Sequence, residues 1–358
     1  MESTQMRYDN IFRFLGVAFV AGAVAGLLSG LTFGGPDTTA AEDTAPPPVQ
    51  ASVAEAKPVT AEQAAIIGAN ELGLIPVLEY HKIGETESDW TRTPENFRAD
   101  LQKLKETGYY PVNLRDLARA SLDVPAGKTP VVLTFDDSSP GQFRLKEDGT
   151  LDPECAVAIM NEAAEAGDWD RRATFFVLLD VQPEDNVLFG QPDQAEAKIA
   201  RLVEWGYEVG SHTVTHLNLR KASAQEARKQ LAVSKIEIER LAGEGYEVYS
   251  LSVPFGEYPE DDALFSGEYE GTAYSYSAAV EVTGGPAPSP FSLDFDPLHI
   301  PRTIVRGDAL DDLLDYFRQN PELRYISDGD PAAVSAPQDL PEELGTPPAD
   351  LGRPLIRY

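Results

Sequence analysis

Residues 129–137 read Thr129-Pro-Val-Val-Leu-Thr-Phe-Asp-Asp137, a short apolar, β-branched run that stops at two adjacent carboxylates. The run has the length and composition of a buried strand. Burying a strand that delivers two acids to its own end is costly unless a cation or a proton transfer uses them. Outward from it, strand-like and helix-like segments alternate. Upstream, Ile75-Pro-Val-Leu-Glu-Tyr80 reads as a strand running into His81, and residues 94–108 as an amphipathic helix with Phe97, Leu101 and Leu104 on one face. Downstream come a helix over 153–166, an apolar strand over 173–179, a helix over 194–206 and a short strand over 207–211. A long helix over 224–242 and a strand over 246–253 follow. Such alternation implies parallel strands joined by right-handed crossovers. The fold class expected is α/β, a distorted (β/α)-barrel, in which chemistry gathers at the C-terminal ends of the strands. An open doubly wound sheet is the competing arrangement. No glycine-rich dinucleotide fingerprint follows the first strand, which counts against it.

The flanks differ in kind. Residues 14–33 are an uncharged, mostly apolar run with Arg7 and Arg13 ahead of it, and about 20 such residues suffice to cross a bilayer. Residues 1–36 are therefore expected to be an N-terminal membrane anchor or signal segment, with the rest of the chain exported. Residues 37–70, rich in Ala and Pro with Pro46-Pro47-Pro48 inside, read as a linker, with a short helix over 61–70. The folded domain is expected over 71–331 and a proline- and acid-rich tail over 332–358. The formal net charge of -30 argues against nucleic-acid partners and describes a generally acidic, solvated surface. The single cysteine, Cys155, excludes an intrachain disulfide and reads as a small buried residue at a helix start.

The chain has four histidines, His81, His212, His216 and His299. Two sit four apart in Ser211-His-Thr-Val-Thr-His216, just past a predicted strand. At that spacing both imidazoles can reach one metal ion, and two imidazoles with one carboxylate form a ligand set with open positions for water and substrate. Adjacent aspartates also occur at Asp261-Asp262 and Asp311-Asp312, but in polar or helical contexts. Only Asp136-Asp137 terminates an apolar strand.

Taken together, Thr134-Phe-Asp-Asp137, Ser211-His-Thr-Val-Thr-His216, the turn Val253-Pro-Phe-Gly256 and the strand Ala173-Thr-Phe-Phe-Val177 resemble the polysaccharide deacetylase (NodB-homology, carbohydrate esterase family 4) superfamily. The resemblance spans about residues 74–331. It implies that Asp136 is the general base and that Asp137, His212 and His216 hold a divalent metal, Zn2+ first, with Co2+ or Ni2+ as alternatives. Such a metal acidifies water and polarises the acetyl carbonyl. Tyr80-His81 resembles a permuted branch in which an early histidine is the general acid. His299 is the alternative acid. The chain departs from the family pattern in two places. Residues 138–143 replace a glycine with an inserted loop expected to alter the cleft. Leu251-Ser252 stands where an arginine usually precedes the Pro-aromatic-Gly turn. Arg302 is the candidate to supply that missing charge.

The reaction implied is hydrolysis of acetyl groups, N-acetyl before O-acetyl, on an envelope or extracellular polysaccharide. Phe143, Trp169, Trp205, Phe255 and Tyr258 are the aromatics available to stack on sugar rings. Two rivals remain: a glycan-binding relative that keeps the metal site without turnover, and a two-histidine, one-carboxylate iron oxygenase. The latter sites usually sit on all-β scaffolds.

Overall fold

The computed structural model describes residues 58–358. Helix α1 (Ala61–Ile67) comes first, followed by β1 (Val77–Tyr80) and a small parallel pair, β2 (Lys82–Ile83) and β3 (Thr91–Arg92). Then α2 (Pro94–Glu106), β4 (Tyr109–Val112), α3 (Leu114–Ala118) and β5 (Thr129–Phe135) lead to α4 (Ala156–Glu165) and β6 (Thr174–Val177). The chain continues through α5 (Ala195–Glu204), β7 (Glu208–Ser211), α6 (Ala224–Ala242) and β8 (Ser250–Ser252). A hairpin of β9 (Ser266–Tyr269) and β10 (Thr272–Ser275) precedes β11 (Ala278–Gly284), β12 (Ile300–Ile304) and α7 (Ala309–Gln319). The parallel pair β13 (Val334–Ala336) and β14 (Leu355–Arg357) ends the chain.

Seven parallel strands form a ring in the order β1-β12-β11-β8-β7-β6-β5, and β5 closes it by pairing with β1 along Val77–Tyr80. Strand β4 lies outside the ring against the start of β5. The closure decides for a barrel and against an open sheet. It also makes Tyr80 and Phe135 register partners, so the residues after each, His81 and Asp136, emerge side by side.

Alternation along each strand sorts the side chains. Val77, Val132, Phe176, Val280 and Ile300 share one buried apolar cluster. Phe176 is fully buried, and on neighbouring β7 a Cβ at Gly210 would lie 2.6 Å from its ring and 2.7 Å from Ser250 Oγ. Gly210 is the side-chain-free position that admits that ring. On the other face of β1 and β5, Tyr80, Phe97, Phe135 and Phe175 pack with centroids 4.8 to 5.8 Å apart, each contact contributing about 0.5–1.5 kcal/mol beyond area burial. Helix α2 supplies Phe97: Thr93 caps it by accepting from Asn96 N, Pro94 opens it, and Phe97, Leu101 and Leu104 form its buried stripe.

The expected helices are all present, and Cys155 is buried at the N-cap of α4. In the large sheet, β4, interrupted by Pro111, and β11, which starts Ala-Ala and ends at Gly284, went unforeseen, as did the short strands outside it. The structure also revises the flanks. Residues 332–358, expected as a tail, pack against the body: Val334 and Ala336 join the apolar cluster, and Ser335 N donates to the Glu71 carboxylate at 2.8 Å. Three small residues fill that seam where composition alone suggested solvent. The body likewise starts before residue 71, because α1 is closed by a capping box at Thr60 and Ala64, Ala69 and Asn70 are buried. The apolar run 14–33 and most of the expected linker lie outside the described residues. Among the described residues, no helix is long and apolar enough to cross a membrane.

Candidate active site

The ends of β1, β5, β7, β8 and β11 meet at one mouth, where a cleft of about 460 Å³ opens. Strand β1 contributes Glu79 and His81, β5 contributes Asp136 and Asp137, and β7 leads into His212 and His216. Lys82, Trp90, Val253, Phe255 and Val282 complete the wall.

Asp136 and Asp137 part company at the strand end. Asp137 takes a left-handed backbone (φ 73°), as do Ser138, Thr213, His216 and Phe255 around the same mouth. Such conformations cost about 1–3 kcal/mol each for non-glycine residues and collect where a site fixes them. The turn aims Asp137 at the histidines: its Oδ1 lies 3.5 Å from His212 Nε2 and 3.7 Å from His216 Nε2. His212 Nδ1 is 2.8 Å from the Ser252 carbonyl. An amide oxygen can only accept, so Nδ1 carries a proton and Nε2 is the nitrogen left to face Asp137, free to offer its lone pair to a cation held there. Burial pushes the His212 imidazole down, but Asp136 and Asp137 outweigh it and hold the group above its usual range; burial and the neighbouring His212 push the His216 imidazole down to about 4.

The fit to a cation can be tested from these separations. Nitrogen and oxygen donors about 2.1 Å from one tetrahedral ion sit about 3.4 Å apart. The observed 3.5 and 3.7 Å agree, and the three donor atoms lie within 4.8 Å of one another. Glu79, His81 and Asp136 also cluster that closely. There, however, the Arg302 guanidinium already lies 2.9 Å from Glu79 and 2.8 Å from Asp136, and a second cation would meet a buried positive charge.

Asp136 is committed to Arg302. The fully buried guanidinium donates to Asp136 Oδ1 at 2.9 Å and to Oδ2 at 2.8 Å, and Ser252 Oγ donates to Oδ2 at 2.8 Å. Burial pushes the Asp136 carboxyl up, but Arg302 and His212 outweigh it and hold the group well below the usual carboxylate range. Arg302, on β12, thus stands where the motif arginine expected at Leu251-Ser252 is missing, with Ser252 as the small residue that leaves it room. Glu79 is the residue that sequence reasoning passed over. It is an acid inside an apolar strand, the same signal that marked Asp136.

His81 lines the cleft, with Nδ1 3.6 Å from Glu79 Oε1 and its ring 4.7 Å edge-on from Trp90. Burial pushes its imidazole down, against the pull of Asp136 and Asp137. His299 is elsewhere. It precedes β12, binds Glu281 at 2.9 Å and Asp262 at 3.0 Å, and stacks on Tyr258, so it is not part of the cleft wall. Residues 138–143 also depart from expectation. Ser138, Ser139, Gln142 and Phe143 are buried beneath the mouth, and Gln142 Nε2 donates to the carbonyls of His81 and Asp136, both at 2.5 Å. The loop is a strut behind the acids, since polar side chains that find backbone partners bury at little cost. Of the aromatics named above, only Phe255 lines the cleft. It is 59% exposed and packs 4.3 Å from the His216 ring, and Trp90, 48% exposed, was not anticipated.

Comparison with known proteins bears on this arrangement. Residues 123–265 match the family model described as polysaccharide deacetylase. The chain is 23% identical over 175 residues to the peptidoglycan-N-acetylglucosamine deacetylase of Bacillus cereus, covering 49% of this chain and 54% of that protein. It is 23% identical over 192 residues to YxkH of Bacillus subtilis, covering 52% and 58%. The chain thus spans just over half the length of these relatives. Among solved structures, the Streptococcus pyogenes deacetylase PplD in complex with acetate superposes with a TM-score of 0.49 at 22% identity, covering 68% of this chain and 97% of that one. The family match includes Asp136, Asp137, His212 and His216, so the stretch that brings the paired aspartates and both histidines to the barrel mouth is the part of the chain that is similar to the polysaccharide deacetylase family.

Proposed function

We propose that this protein is a metal-dependent hydrolase that removes acetyl groups, N-acetyl in the first instance, from an envelope or extracellular polysaccharide. The observation that carries the reading is the division of labour between two consecutive aspartates. Asp137 faces two imidazoles, whereas Asp136 faces an arginine and a serine. A divalent cation held by Asp137, His212 and His216, Zn2+ before Co2+ or Ni2+, supplies acidity to an attacking water and polarises the acetyl carbonyl. Asp136 takes the proton from that water. Arg302 keeps it ionised and fixed in direction, which makes it a weak base in a well-defined place. His81, on the neighbouring strand, gives a proton to the departing nitrogen. Trp90 and Phe255 are exposed apolar faces on which a sugar ring can lie.

The family match and the filled place of the missing motif arginine both weigh against a glycan-binding protein without turnover. The parallel barrel weighs against an oxygenase on an all-β scaffold. The apolar run at 14–33 supports export, with that segment as anchor or signal.

The deciding experiment measures acetate release from N- and O-acetylated oligosaccharides with added Zn2+, Co2+ or Ni2+, comparing the parent with Asp136→Asn. Release that vanishes in the variant while the metal stays bound supports the reading. No release by the parent from any acetylated glycan, with glycan binding retained, overturns it.

A further inference from the structure

His212 and His216 sit four apart, yet no helix holds them. Residues 212–216 leave β7 as a loop, in which Thr213 (φ 68°) and His216 (φ 56°) take left-handed backbone conformations. In a helix each N–H would pair with the carbonyl four residues back. Here the N–H groups of Val214 and Thr215 turn instead to one side-chain atom, Gln230 Oε1 on α6, at 2.9 and 3.0 Å. Two N–H donors aimed at that atom identify it as the amide oxygen. Nε2 is accordingly turned to Thr215 Oγ at 3.0 Å and to Glu226 Oε1 at 3.3 Å. Gln230 is 5% exposed, so this clamp is shielded from water. From the other side the Val214 carbonyl accepts from Leu179 N at 3.1 Å and Asp180 N at 2.8 Å. The loop is thus gripped between α6 and the chain that follows β6. The two imidazoles depend on it unequally. His212 is buried, with Nδ1 fixed by the Ser252 carbonyl at 2.8 Å. The His216 ring touches Phe255 and His212, and its place relative to His212 is set by the loop between them.

Resting on the cation site of the reading above, we propose that Gln230 is a positioning residue for that site. It holds the loop in the shape that brings His216 Nε2 within 3.7 Å of Asp137 Oδ1. Its hydrogen bonds go to the residues between the two histidines and to Glu226 on its own helix, so it acts through the donors and not on the ion. Left-handed conformations at non-glycine residues persist only where their surroundings fix them. Without the Gln230 clamp, Thr213 and His216 can relax and carry the His216 imidazole away from Asp137. Binding a cation must then restore the loop as well as fill the site, and that ordering is lost from the affinity. Gln230 therefore sets how tightly the cation is held.

The test is Zn2+ affinity, measured on the full chain by competition with a chromophoric chelator, beside the Tm of the metal-free protein. Gln230→Met keeps the length of the side chain and removes its acceptor and donor, and the Kd for Zn2+ should rise about 10- to 100-fold. Gln230→Asn is the milder change, keeping the amide but drawing it back by one methylene, and should weaken binding about 10-fold. Gln230→Glu still accepts from both N–H groups and should bind within about threefold of the parent. Ile238→Val trims a fully buried residue about two turns further along α6. It should lower Tm yet leave Zn2+ affinity within about threefold. Unchanged affinity in both Gln230→Met and Gln230→Asn overturns the inference, as does equal weakening in Ile238→Val, the mark of a merely structural role. Because the readout is binding, a parent that holds Zn2+ and releases no acetate refutes the deacetylase reading alone, whereas a parent that holds no Zn2+ refutes both.

Discussion

Arg302→Met is the substitution that most directly probes how the mouth is held together. Arg302 is fully buried and donates to Asp136 twice, to Thr134 and Ser252 at 3.1 Å, and to the Glu281 carbonyl at 2.5 Å. Methionine fills most of the volume but leaves Asp136 buried without its cation, a change that typically costs about 3–5 kcal/mol. At about 2.1 cal/mol/K per residue over roughly 300 ordered residues, the unfolding entropy is about 0.6 kcal/mol/K, so Tm should fall by about 5–8 °C. The pH dependence carries the sharper signature. Asp136 titrates well below its usual range in the folded protein, under the pull of Arg302 against burial, and at about 3.9 when unfolded. Its contribution is therefore fully present above pH ~4 and is lost as the pH falls toward the folded value. Calorimetric melts of parent and variant should differ most at pH 7 and converge toward pH 3. A gap below about 1 °C at pH 7 would refute the reasoning, as would a gap of equal size at both pH values.

Other perturbations separate the remaining roles. Asp136→Asn should lower acetate release by about 10²- to 10⁴-fold while elemental analysis finds the same metal content, because the base is not a ligand. Asp137→Ala or His216→Ala should instead abolish stoichiometric Zn2+ by the same analysis, and added Zn2+ should not restore release. Glu71, buried beside Asp328 and raised from 4.5 to about 8 chiefly by burial, binds a proton in the folded state that the unfolded chain has already lost. Stability should fall as pH rises through that window. Glu71→Gln should flatten the loss, so parallel Tm slopes for parent and variant between pH 5 and 8.5 would count against this assignment.

Much of this was legible in the chain itself, for reasons tied to particular residues. Asp136 and Asp137 announced themselves because acids rarely end an apolar strand, and His212 and His216 because four-residue spacing at a strand end is informative when histidines are few. The helices were readable because each buries one clear stripe, as α2 does through Phe97, Leu101 and Leu104. Strands β4 and β11 were not, because Pro111 and a start of two alanines hide them, and their place is set by neighbours distant in sequence. Arg302 was visible as a candidate, but its distance from Asp136 depends on barrel closure. The packing of residues 138–143, read as an inserted loop that alters the cleft, was hidden for the same kind of reason. Whether a polar loop faces water or the back of a strand depends on what packs over it, here Gln142 bridging two carbonyls.

The pairing of β1 with β5 divides the site by origin. The matched span, residues 123–265, holds Asp136 and the three candidate metal ligands. Glu79, His81 and Arg302 all come from outside it, on the strands that seal the ring. The candidate cation site and the base beside it are thus written in one part of the chain and the proton donor assigned to the leaving group in another, and the two meet only when the barrel shuts. A polypeptide limited to the matched span would lack the residue assigned here to the leaving group. By the same logic, relatives can exchange the source of that proton, early strand or late, while the cation site beneath it stays as it is.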